Sequence, residues 1–239
     1  MGQRIMALAL QNGAVTLVGG LEASGHPAIG RDVGQLLGMP SVGVAVTDRV
    51  EAALAGCDVL IEFTRPEPTL EHVRAARQLK KPIVIGTTGC TEAQRGEIAR
   101  AAEEIPVLFS PNMSLGVNVL FELVQTAAKR LGPAYDLDVI EAHHRTKQDA
   151  PSGTAKRLIE LAAQARGQQP KDIPVHAIRA GDIIGDHTVV LAGPFERLEL
   201  THRAHHRDAF AVGALRAAQF LHARPAGLYD MTDVLRAAA

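Results

Sequence analysis

The sequence predicts an α/β protein in which a parallel-sheet domain is joined to an α+β domain with an open, mixed sheet. Two observations carry this prediction. Before residue 113, short apolar runs alternate with helical patterns, which is typical of a parallel sheet covered on both faces. Beyond residue 170, three strand-like runs follow one another without a helix between them. The length of 239 residues fits one large domain or two small ones.

The first part of the chain is predicted to begin with a helix over residues 2–11, because Ile5 and Leu8 fall on one helical face. The predicted strands that follow cover residues 14–20, 42–46, 58–64, 82–89 and 107–112. The longer helices between them are predicted over residues 69–79 and 92–104. Because these strands are short and apolar, we expect them to be buried on both faces of one sheet.

The second part is predicted to start with a long helix over residues 115–131, which ends at Gly132 and Pro133. A strand over residues 137–142 then leads through a polar loop into a helix over residues 152–166. The remaining predicted elements are strands at 175–179, 187–191 and 197–202 and helices at 208–222 and 231–237.

Small and polar residues follow the strands of the first part. They are Glu22, Thr64–Arg65, Gly86–Thr87–Thr88 and Ser110–Pro111–Asn112–Met113. In parallel sheets ligands bind beyond the carboxyl ends of the strands, so these residues are candidates for a ligand site. Glu22 lies about 20 residues beyond Gly2, where a Rossmann-like, dinucleotide-binding fold places the acid that holds the ribose hydroxyls. Taken alone, an acid after a strand is more often a solvated loop residue.

A Rossmann-like fold begins with a strand and a Gly-rich turn, followed by a helix whose N-terminus meets the pyrophosphate. This sequence begins at that helix, and Gly2 matches only the last glycine of the turn. The first strand normally lies in the middle of the sheet, so without it the neighbouring strands would carry unpaired backbone groups. We therefore expect the natural chain to start upstream of Met1.

A polar stretch over residues 140–158 carries the strongest chemical signal. Ser152 is a good N-cap for the following helix, and Gly153 allows a ligand to approach the backbone closely. The N–H groups of Gly153 and Thr154 would then be available to hold a carboxylate at the positive end of the helix dipole.

The residues before this helix supply charge and protons. Lys147 carries a full positive charge, and His143 or His144 titrates near neutral pH and can give or take a proton. The plainer interpretation is a capped helix behind a basic, solvated loop. Because all these groups serve the same anion, we favour a site that binds a small anion and moves a proton.

Composition excludes several other classes of function. The net charge is −1 and aromatic residues make up only 3%, which argues against nucleic-acid binding. No apolar run approaches the roughly 20 residues that cross a bilayer, so no membrane partner is expected. The two cysteines, Cys57 and Cys90, form no CxxC pair, which fits a reducing, cytoplasmic location.

Histidines near the end of the second part raise the question of a metal site. His202, His205 and His206 lie close together, but they form no spaced zinc set with a cysteine or a further clear ligand. We expect no metal, and we interpret these residues, with Arg203 and Arg207, as a basic rim or a solvated surface.

The stretch Glu141-Ala142-His143-His144-Arg145-Thr146-Lys147-Gln148-Asp149-Ala150-Pro151-Ser152-Gly153-Thr154-Ala155 resembles the signature of the 4-hydroxy-tetrahydrodipicolinate reductase (dihydrodipicolinate reductase) family. That signature, E-x-H-H-x-x-K-x-D-x-P-S-G-T-A, is long and specific. The resemblance extends along almost the whole chain. Its further segments are Phe63-Thr64-Arg65-Pro66, Ile85-Gly86-Thr87-Thr88-Gly89, Pro111-Asn112-Met113-Ser114-Leu115-Gly116-Val117-Asn118, Arg179-Ala180-Gly181-Asp182 with His187-Thr188, and Gly227-Leu228-Tyr229-Asp230-Met231.

The resemblance implies that a nicotinamide cofactor reduces a cyclic dicarboxylic imine in the diaminopimelate and lysine pathway. It also implies two domains. Residues 1–113 and 208–239 would form the dinucleotide-binding domain, and residues 114–207 the substrate-binding and oligomerisation domain. Relatives are mostly homotetramers, so the resemblance implies a homotetramer that acts on a small dicarboxylate substrate.

Site residues follow from the same resemblance. The catalytic residues would be His143, which resembles the proton donor or acceptor, and Lys147, which resembles the proton donor. His144 and the backbone of Gly153 and Thr154 would contact substrate carboxylates. The implied cofactor-binding residues are Met1, Glu22, Gly86, Thr87, Thr88, Ser110, Pro111, Asn112 and Met113.

The cofactor would be NADH or NADPH, and one residue favours NADH. Ala23 follows Glu22 at a position where some relatives carry an arginine, which would pair with the extra phosphate of NADP. Two alternative functions stay open at this point. One is an N-terminally truncated form that is non-catalytic or impaired in cofactor binding, and the other is a related cytosolic reductase of another small acid.

Overall fold

The structure, a computed structural model, describes residues 1–237 and divides the chain into two compact units. Unit 1 comprises Met1–Met113 together with the segment from Phe210 onward, and unit 2 comprises Ser114–Ala209. In the described residues no helix is both long and apolar enough to span a membrane.

Unit 1 alternates helices and strands in the predicted manner. Its helices are α1 (Gly2–Gln11), α2 (Val33–Leu36), α3 (Val50–Ala55), α4 (Pro66–Gln78), α5 (Glu92–Ala101), and, after unit 2, most of α8 (Asp208–Leu221) and α9 (Met231–Ala237). Its strands are β1 (Gly20–Leu21), β2 (Val46–Thr47), β3 (Leu60–Glu62), β4 (Ile83–Ile85), β5 (Pro106–Phe109) and β10 (Gly227–Tyr229).

The strands of unit 1 form two parallel sheets rather than one. β1 pairs with β2, and the other sheet has the order β10-β5-β4-β3. The predicted strands over residues 14–20 and 42–46 are largely absent from the structure, because only Gly20 of the first range and Val46 of the second join the ladder, followed by Leu21 and Thr47. Strand β10 was not predicted, since its sequence Gly-Leu-Tyr is too short to show a period.

The core of unit 1 lies between the four-stranded sheet and helices α4 and α5. The side chains of Ile83 and Ile85 on β4 are fully buried against Val73 of α4 and Ile98 of α5. Helix α5 begins with a capping box, in which Thr91 and Gln94 satisfy each other's backbone N–H groups. This packing fixes the carboxyl ends of β3, β4 and β5, where the polar strand-end residues follow.

Unit 2 is a four-stranded mixed sheet covered on one face by two helices. Its elements are α6 (Leu115–Leu131), β6 (Asp136–His143), α7 (Gly153–Arg166), β7 (Val175–Arg179), β8 (Asp186–Ala192) and β9 (Arg197–Arg203). The sheet order is β7-β6-β8-β9, with β6 parallel to β7 and antiparallel to β8. The predicted α/β class with an added open, mixed sheet is confirmed.

Strand alternation decides which face of unit 2 carries the core. Leu137 and Val139 on β6, and Val189 and Leu191 on β8, are buried against α6 and α7. Helix α7 ends at Gly167, whose left-handed backbone (φ 66°, ψ 29°) suits glycine. The same alternation continues to the carboxyl end of β6, where it turns Glu141 and His143 toward the helical face.

Candidate functional site

The candidate site of unit 2 is built on the carboxyl end of β6. Glu141 and His143 lie two residues apart, so both side chains point to the same face of the sheet. Both are buried, and the ring nitrogen Nδ1 of His143 contacts the Oε2 atom of Glu141. A carboxylate on Nδ1 keeps the proton of a neutral imidazole there and leaves Nε2 for proton exchange.

Glu141 is fully buried and has its charge neutralised by an arginine. Arg179, the last residue of β7, donates from Nη2 to Oε1 at 2.7 Å and from Nη1 to Oε2 at 2.9 Å. The backbone N–H of Ser152 also donates to Oε1, at 3.2 Å. Burial pushes the pKa of Glu141 up, but hydrogen bonds from Arg179 and His143 hold it below its usual value. Glu141 is therefore ionised at neutral pH.

His143 has a lowered pKa. Burial is the main cause, and the nearby positive charges of Lys147 and Arg179 act in the same direction, against the opposing effect of Glu141. Beside the ring lies Gly185, where a Cβ atom would be 3.1 Å from Nε2 of His143. His143 is thus a neutral imidazole at neutral pH, and a residue without a side chain lies beside its exchangeable nitrogen.

A second histidine, His187 on β8, lies behind His143. The two rings meet edge to face with centroids 5.1 Å apart, and Nε2 of His187 lies 3.1 Å from the Oγ atom of Ser152. The pKa of His187 is lowered to about 3, first by burial and then by the neighbouring His143, whose ring would carry a positive charge at such low pH. His187 is therefore an uncharged residue that links the catalytic candidate to the cap of α7.

Helix α7 presents its N-terminus at the same place. The Oγ atom of Ser152 accepts from the N–H of Ala155 at 3.2 Å, which is the capping contact predicted from the sequence. Gly153 is exposed, and a Cβ atom built there would meet nothing within 4 Å. No acidic residue lies in the first turn of the helix. This end of α7 is thus accessible to an anionic group at Gly153, and Thr154 follows it in the first turn.

The loop between β6 and α7 carries the remaining candidates. Lys147 is partly buried, and its Nζ atom lies 2.6 Å from Oδ1 of Asp149. His144 is partly buried, with Nδ1 2.8 Å from the Oγ1 atom of Thr146. All five candidate residues of unit 2 therefore lie within the short run from the end of β6 to the start of α7.

Sequence reasoning missed the residues that hold this site in place. Glu141, Arg179, Ser152 and His187 were quoted only as parts of a signature or as a cap, and Gly185 was not singled out. The two-residue spacing of Glu141 and His143 at the end of a predicted strand was a usable signal, because it places both side chains on one face. The partnership with Arg179 depends on the pairing of β6 with β7, which no local pattern shows.

The candidates in unit 1 lie at strand ends and at the start of α1. Met1 is the N-cap of α1, and Glu22 follows β1 with an exposed side chain that accepts from the N–H of Ala23. Gly86 lies under the ring of Phe63, because a Cβ atom built there would be 2.3 Å from that ring. The others follow β4 or β5, with Thr87, Ser110 and Met113 buried, Thr88 and Pro111 exposed, and Asn112 in between.

Nothing in the first turn of helix α1 opposes the approach of a phosphate group. Its N-cap residue makes no side-chain capping contact, and its first turn contains no acid. A Cβ atom at Gly2 would meet nothing within 4 Å. With the exposed carboxylate of Glu22 after β1, these residues fit a dinucleotide. Across residues 1–237, no group of three or more His, Cys, Asp or Glu side chains is arranged to hold a metal ion.

Comparison with known proteins gives one consistent family. Residues 1–113 match the family model described as "Dihydrodipicolinate reductase, N-terminus", and residues 116–235 match "Dihydrodipicolinate reductase, C-terminus". A 4-hydroxy-tetrahydrodipicolinate reductase of Anaeromyxobacter sp. (strain Fw109-5) is 48% identical, over 98% of this chain and 93% of its own length. The enzyme of the same name from Cupriavidus necator is 47% identical, over 98% of this chain and 95% of its own.

A solved structure agrees with these sequence matches. It is a dipicolinate-bound dihydrodipicolinate reductase from Paenisporosarcina sp. TG-14, which superposes with a TM-score of 0.80 at 25% identity. The superposition covers 97% of this chain and 94% of the other. Fold and sequence therefore indicate the same relatives over both units.

Proposed function

The chain belongs to the dihydrodipicolinate reductase family, and we propose that it reduces 4-hydroxy-tetrahydrodipicolinate to tetrahydrodipicolinate, with the 4-hydroxyl group leaving as water, a reduced nicotinamide cofactor supplying the hydride and the protein the proton. This activity lies in the diaminopimelate and lysine pathway. One observation carries the proposal. The buried acid Glu141 is bonded both to His143 and to the backbone of Ser152, the cap of α7. A proton-transferring group and an anion-binding helix end are thereby held together within unit 2.

The substrate carboxylates would be held by the start of α7 and by Lys147. Backbone N–H groups at Gly153 and Thr154 favour a negative group through the helix dipole, and Lys147 adds a full charge. In the structure Lys147 is paired with Asp149, whose pKa is lowered by that contact. A substrate carboxylate would replace Asp149 as the partner of Lys147. His144 would contribute a further hydrogen bond.

His143 would act on the ring of the substrate. Its Nδ1 atom is committed to Glu141, so Nε2 is the atom that gives or takes a proton. Lys147, within the same loop, would supply the proton that the ring nitrogen needs after reduction. The charge of Glu141 is already neutralised by Arg179, so His143 is free to change its protonation state.

Unit 1 would hold the cofactor, which supplies a hydride when bound. Met1 and the start of α1 would face the pyrophosphate, and Glu22 would accept hydrogen bonds from the ribose hydroxyls. The segments after β4 and β5, residues 86–88 and 110–113, would line the nicotinamide side. We infer a preference for NADH, because Glu22 would repel the extra phosphate of NADPH and Ala23 offers no compensating charge.

We also propose a homotetramer formed through the open face of the mixed sheet. Ile178, which is 48% exposed, lies on that face, together with half-buried Ile140 and Val190. Phe195, in the turn between β8 and β9, is 98% exposed. Light scattering should give the mass of a tetramer, and Ile178→Asp should lower it. Leu79→Ser, an exposed apolar residue of unit 1, should not. A monomeric parent protein at micromolar concentration would contradict this proposal.

A cytoplasmic location is a further proposal, supported by the absence of a disulfide between Cys57 and Cys90. Fractionation of the source cell tests it. The comparisons lend no support to the alternative functions, a non-catalytic form or a reductase of another small acid.

The activity is tested by generating the substrate in the assay and adding NADH or NADPH. The oxidation of the cofactor is then followed by its loss of absorbance. Lys147→Ala should lower both substrate affinity and rate, by about tenfold or more in each, because a charged contact is lost. Lys156→Ala removes an exposed lysine of α7 and serves as the matched control. Absence of turnover in the parent protein, or unchanged substrate affinity in Lys147→Ala, counts against the proposal.

A further inference from the structure

Unit 1 contains a second buried acid and histidine, at the carboxyl end of β3. Glu62, the last residue of that strand, contacts Nδ1 of His72 through its Oε2 atom. Its other oxygen, Oε1, accepts from the backbone N–H of Thr64 at 2.9 Å and from the Thr64 hydroxyl. The hydroxyl groups of Thr69 and Thr87 lie 3.0 and 3.3 Å from the same oxygen. One carboxylate therefore gathers donors from three separate segments.

These contacts join the ends of two neighbouring strands to a helix. Thr64 follows β3, Thr87 follows β4, and Thr69 lies in the first turn of α4. The N–H of Thr64 also donates to the Oγ1 atom of Thr87 at 3.0 Å, and the Thr69 hydroxyl lies 2.9 Å from that atom. The position of the segment after each strand is thus set by hydrogen bonds to Glu62 as well as by the sheet ladder.

The cluster has no arginine or lysine in it. Within the part of the chain that the structure describes, the hydrogen-bond partners of the Glu62 carboxylate are His72 and the three threonines. Burial pushes the pKa of Glu62 up, but bonds from His72 and Thr64 hold it below its usual value. A buried carboxylate depends on such donors, so loss of His72 would weaken the hold on both strand ends.

We propose that Glu62 and His72 are positioning residues that fix the segments 64–65 and 86–88, and that they thereby set the affinity for the nicotinamide cofactor. This inference depends on the proposed function in one respect, which is that the ligand of unit 1 is a nicotinamide cofactor. Glu62 acts through Thr64 and Thr87 and need not touch the cofactor. Both residues are buried, and each oxygen of the carboxylate has at least one partner within unit 1.

A purely structural role makes a different prediction from a positioning role. Loss of a structural pair lowers the melting temperature but leaves the ligand affinity of the folded protein unchanged. Four variants of the full chain separate the two. Glu62→Gln removes the charge, His72→Leu removes the donor, and His72→Asn returns an N–H near the place of Nδ1. Glu71→Gln changes an exposed acid beside His72 and is the matched control.

The first measurement is the Kd for NADH, by fluorescence titration of the folded protein. We expect about a tenfold weaker Kd in Glu62→Gln and His72→Leu, and recovery to within about threefold of the parent in His72→Asn. The Kd for dipicolinate, as a probe of unit 2, should change by less than about twofold in all four variants. Unchanged NADH affinity in Glu62→Gln and His72→Leu, with a lower melting temperature alone, overturns the proposal.

The second measurement needs no cofactor. Hydrogen exchange followed by mass spectrometry should be faster at residues 63–66 and 86–89 in His72→Leu, and close to the parent in His72→Asn and Glu71→Gln. Unchanged exchange in both segments overturns the positioning role even if NADH does not bind. A parent protein that binds neither NADH nor NADPH but shows this exchange pattern instead overturns the proposed function and keeps the positioning role.

Discussion

Each unit of the molecule buries one glutamate against one histidine at the carboxyl end of a strand, and the two pairs differ in what else surrounds the carboxylate. His143 is 8% exposed and His72 is 7% exposed, so burial does not distinguish them. Both histidines contact the Oε2 atom of their glutamate through Nδ1. The difference lies in the other oxygen and in the charge around it.

Glu141 is neutralised by Arg179, whereas Glu62 relies on His72 and threonine hydroxyls. Where an arginine carries the opposite charge, the histidine is not needed as a counter-ion and can change its protonation state. Where neutral hydroxyl groups surround the carboxylate instead, the histidine is one of the donors that keep a buried carboxylate satisfied. We therefore propose that the same pair of residues serves proton transfer in unit 2 and positioning in unit 1.

The largest expected effect separates the two histidines by turnover. His143→Gln should lower kcat by about 10²- to 10⁴-fold, since a proton-transferring group is lost. His72→Asn should leave kcat at saturating cofactor within about threefold of the parent, since it retains a donor. Steady-state assays with thermal melts of each variant check this. Near-normal turnover in His143→Gln would remove the proton-transfer role.

The second prediction removes the arginine beside Glu141, so that the Glu141–His143 pair comes to resemble the Glu62–His72 pair. Arg179→Met leaves Glu141 buried without its counter-charge, which should destabilise the protein by about 3 to 5 kcal/mol. In the protein that still folds, His143 becomes the counter-ion and its pKa rises, because Arg179 now lowers it. The limb of the pH profile of kcat/KM that reports His143 should therefore move to higher pH.

Arg157→Met is the control for this change. Arg157 lies on α7 in an exposed pair with Glu160, and its loss should alter the free energy of unfolding by less than about 0.5 kcal/mol. A pH profile that is the same for Arg179→Met and Arg157→Met would show that Arg179 does not set the charge state of His143.

Much of unit 2 was predictable from the sequence, and less of unit 1. The helix over residues 115–131 has the predicted bounds, because its periodicity and the Gly132–Pro133 stop define it, and the strand over 175–179 also has the predicted bounds. The strand predicted over residues 14–20 is reduced to Gly20–Leu21, because a ladder needs partners that an apolar run alone does not specify.

The candidate site shows the same division between local and long-range information. The cap at Ser152 was predicted and is confirmed as a contact, since a capping box or N-cap is a local pattern. The hydrogen bonds between Arg179 and Glu141 and between His187 and Ser152 join residues 38 and 35 positions apart. Only the pairing of β6 with β7 and β8 brings them together.

The third prediction concerns His187, the neutral histidine beside His143 of the Glu141–His143 pair. Its pKa is about 3 in the folded protein and near 6.5 when unfolded. Below pH 6.5 the unfolded chain binds more protons than the folded one, so stability falls as the pH drops. The loss due to His187 should be about 2 kcal/mol between pH 7 and pH 5. His187→Gln, which keeps a group near Ser152, should remove that part of the pH dependence.

Urea unfolding followed by circular dichroism at pH 7 and pH 5 measures this difference, since the chain has no Trp for fluorescence. The exposed His176 gives the control His176→Gln, which should leave the pH dependence as in the parent. Equal pH dependence in His187→Gln and the parent would show that burial does not keep His187 neutral.

The smallest expected effect concerns Gly185, the glycine beside the ring of His143. A Cβ atom at Gly185 would lie 3.1 Å from Nε2 of His143 and 3.7 Å from the ring of His187. The first distance is too short for an ordinary contact, so in Gly185→Ala the imidazole must shift by a few tenths of an ångström. We expect kcat/KM to fall by about five- to tenfold through misplacement of Nε2. Gly96→Ala, where a Cβ meets only the end of Arg100 at 3.7 Å, should leave it unchanged. If Gly185→Ala has parental kcat/KM and an unshifted pH profile, the reactive edge of His143 does not face Gly185, and proton exchange must use another approach to the ring.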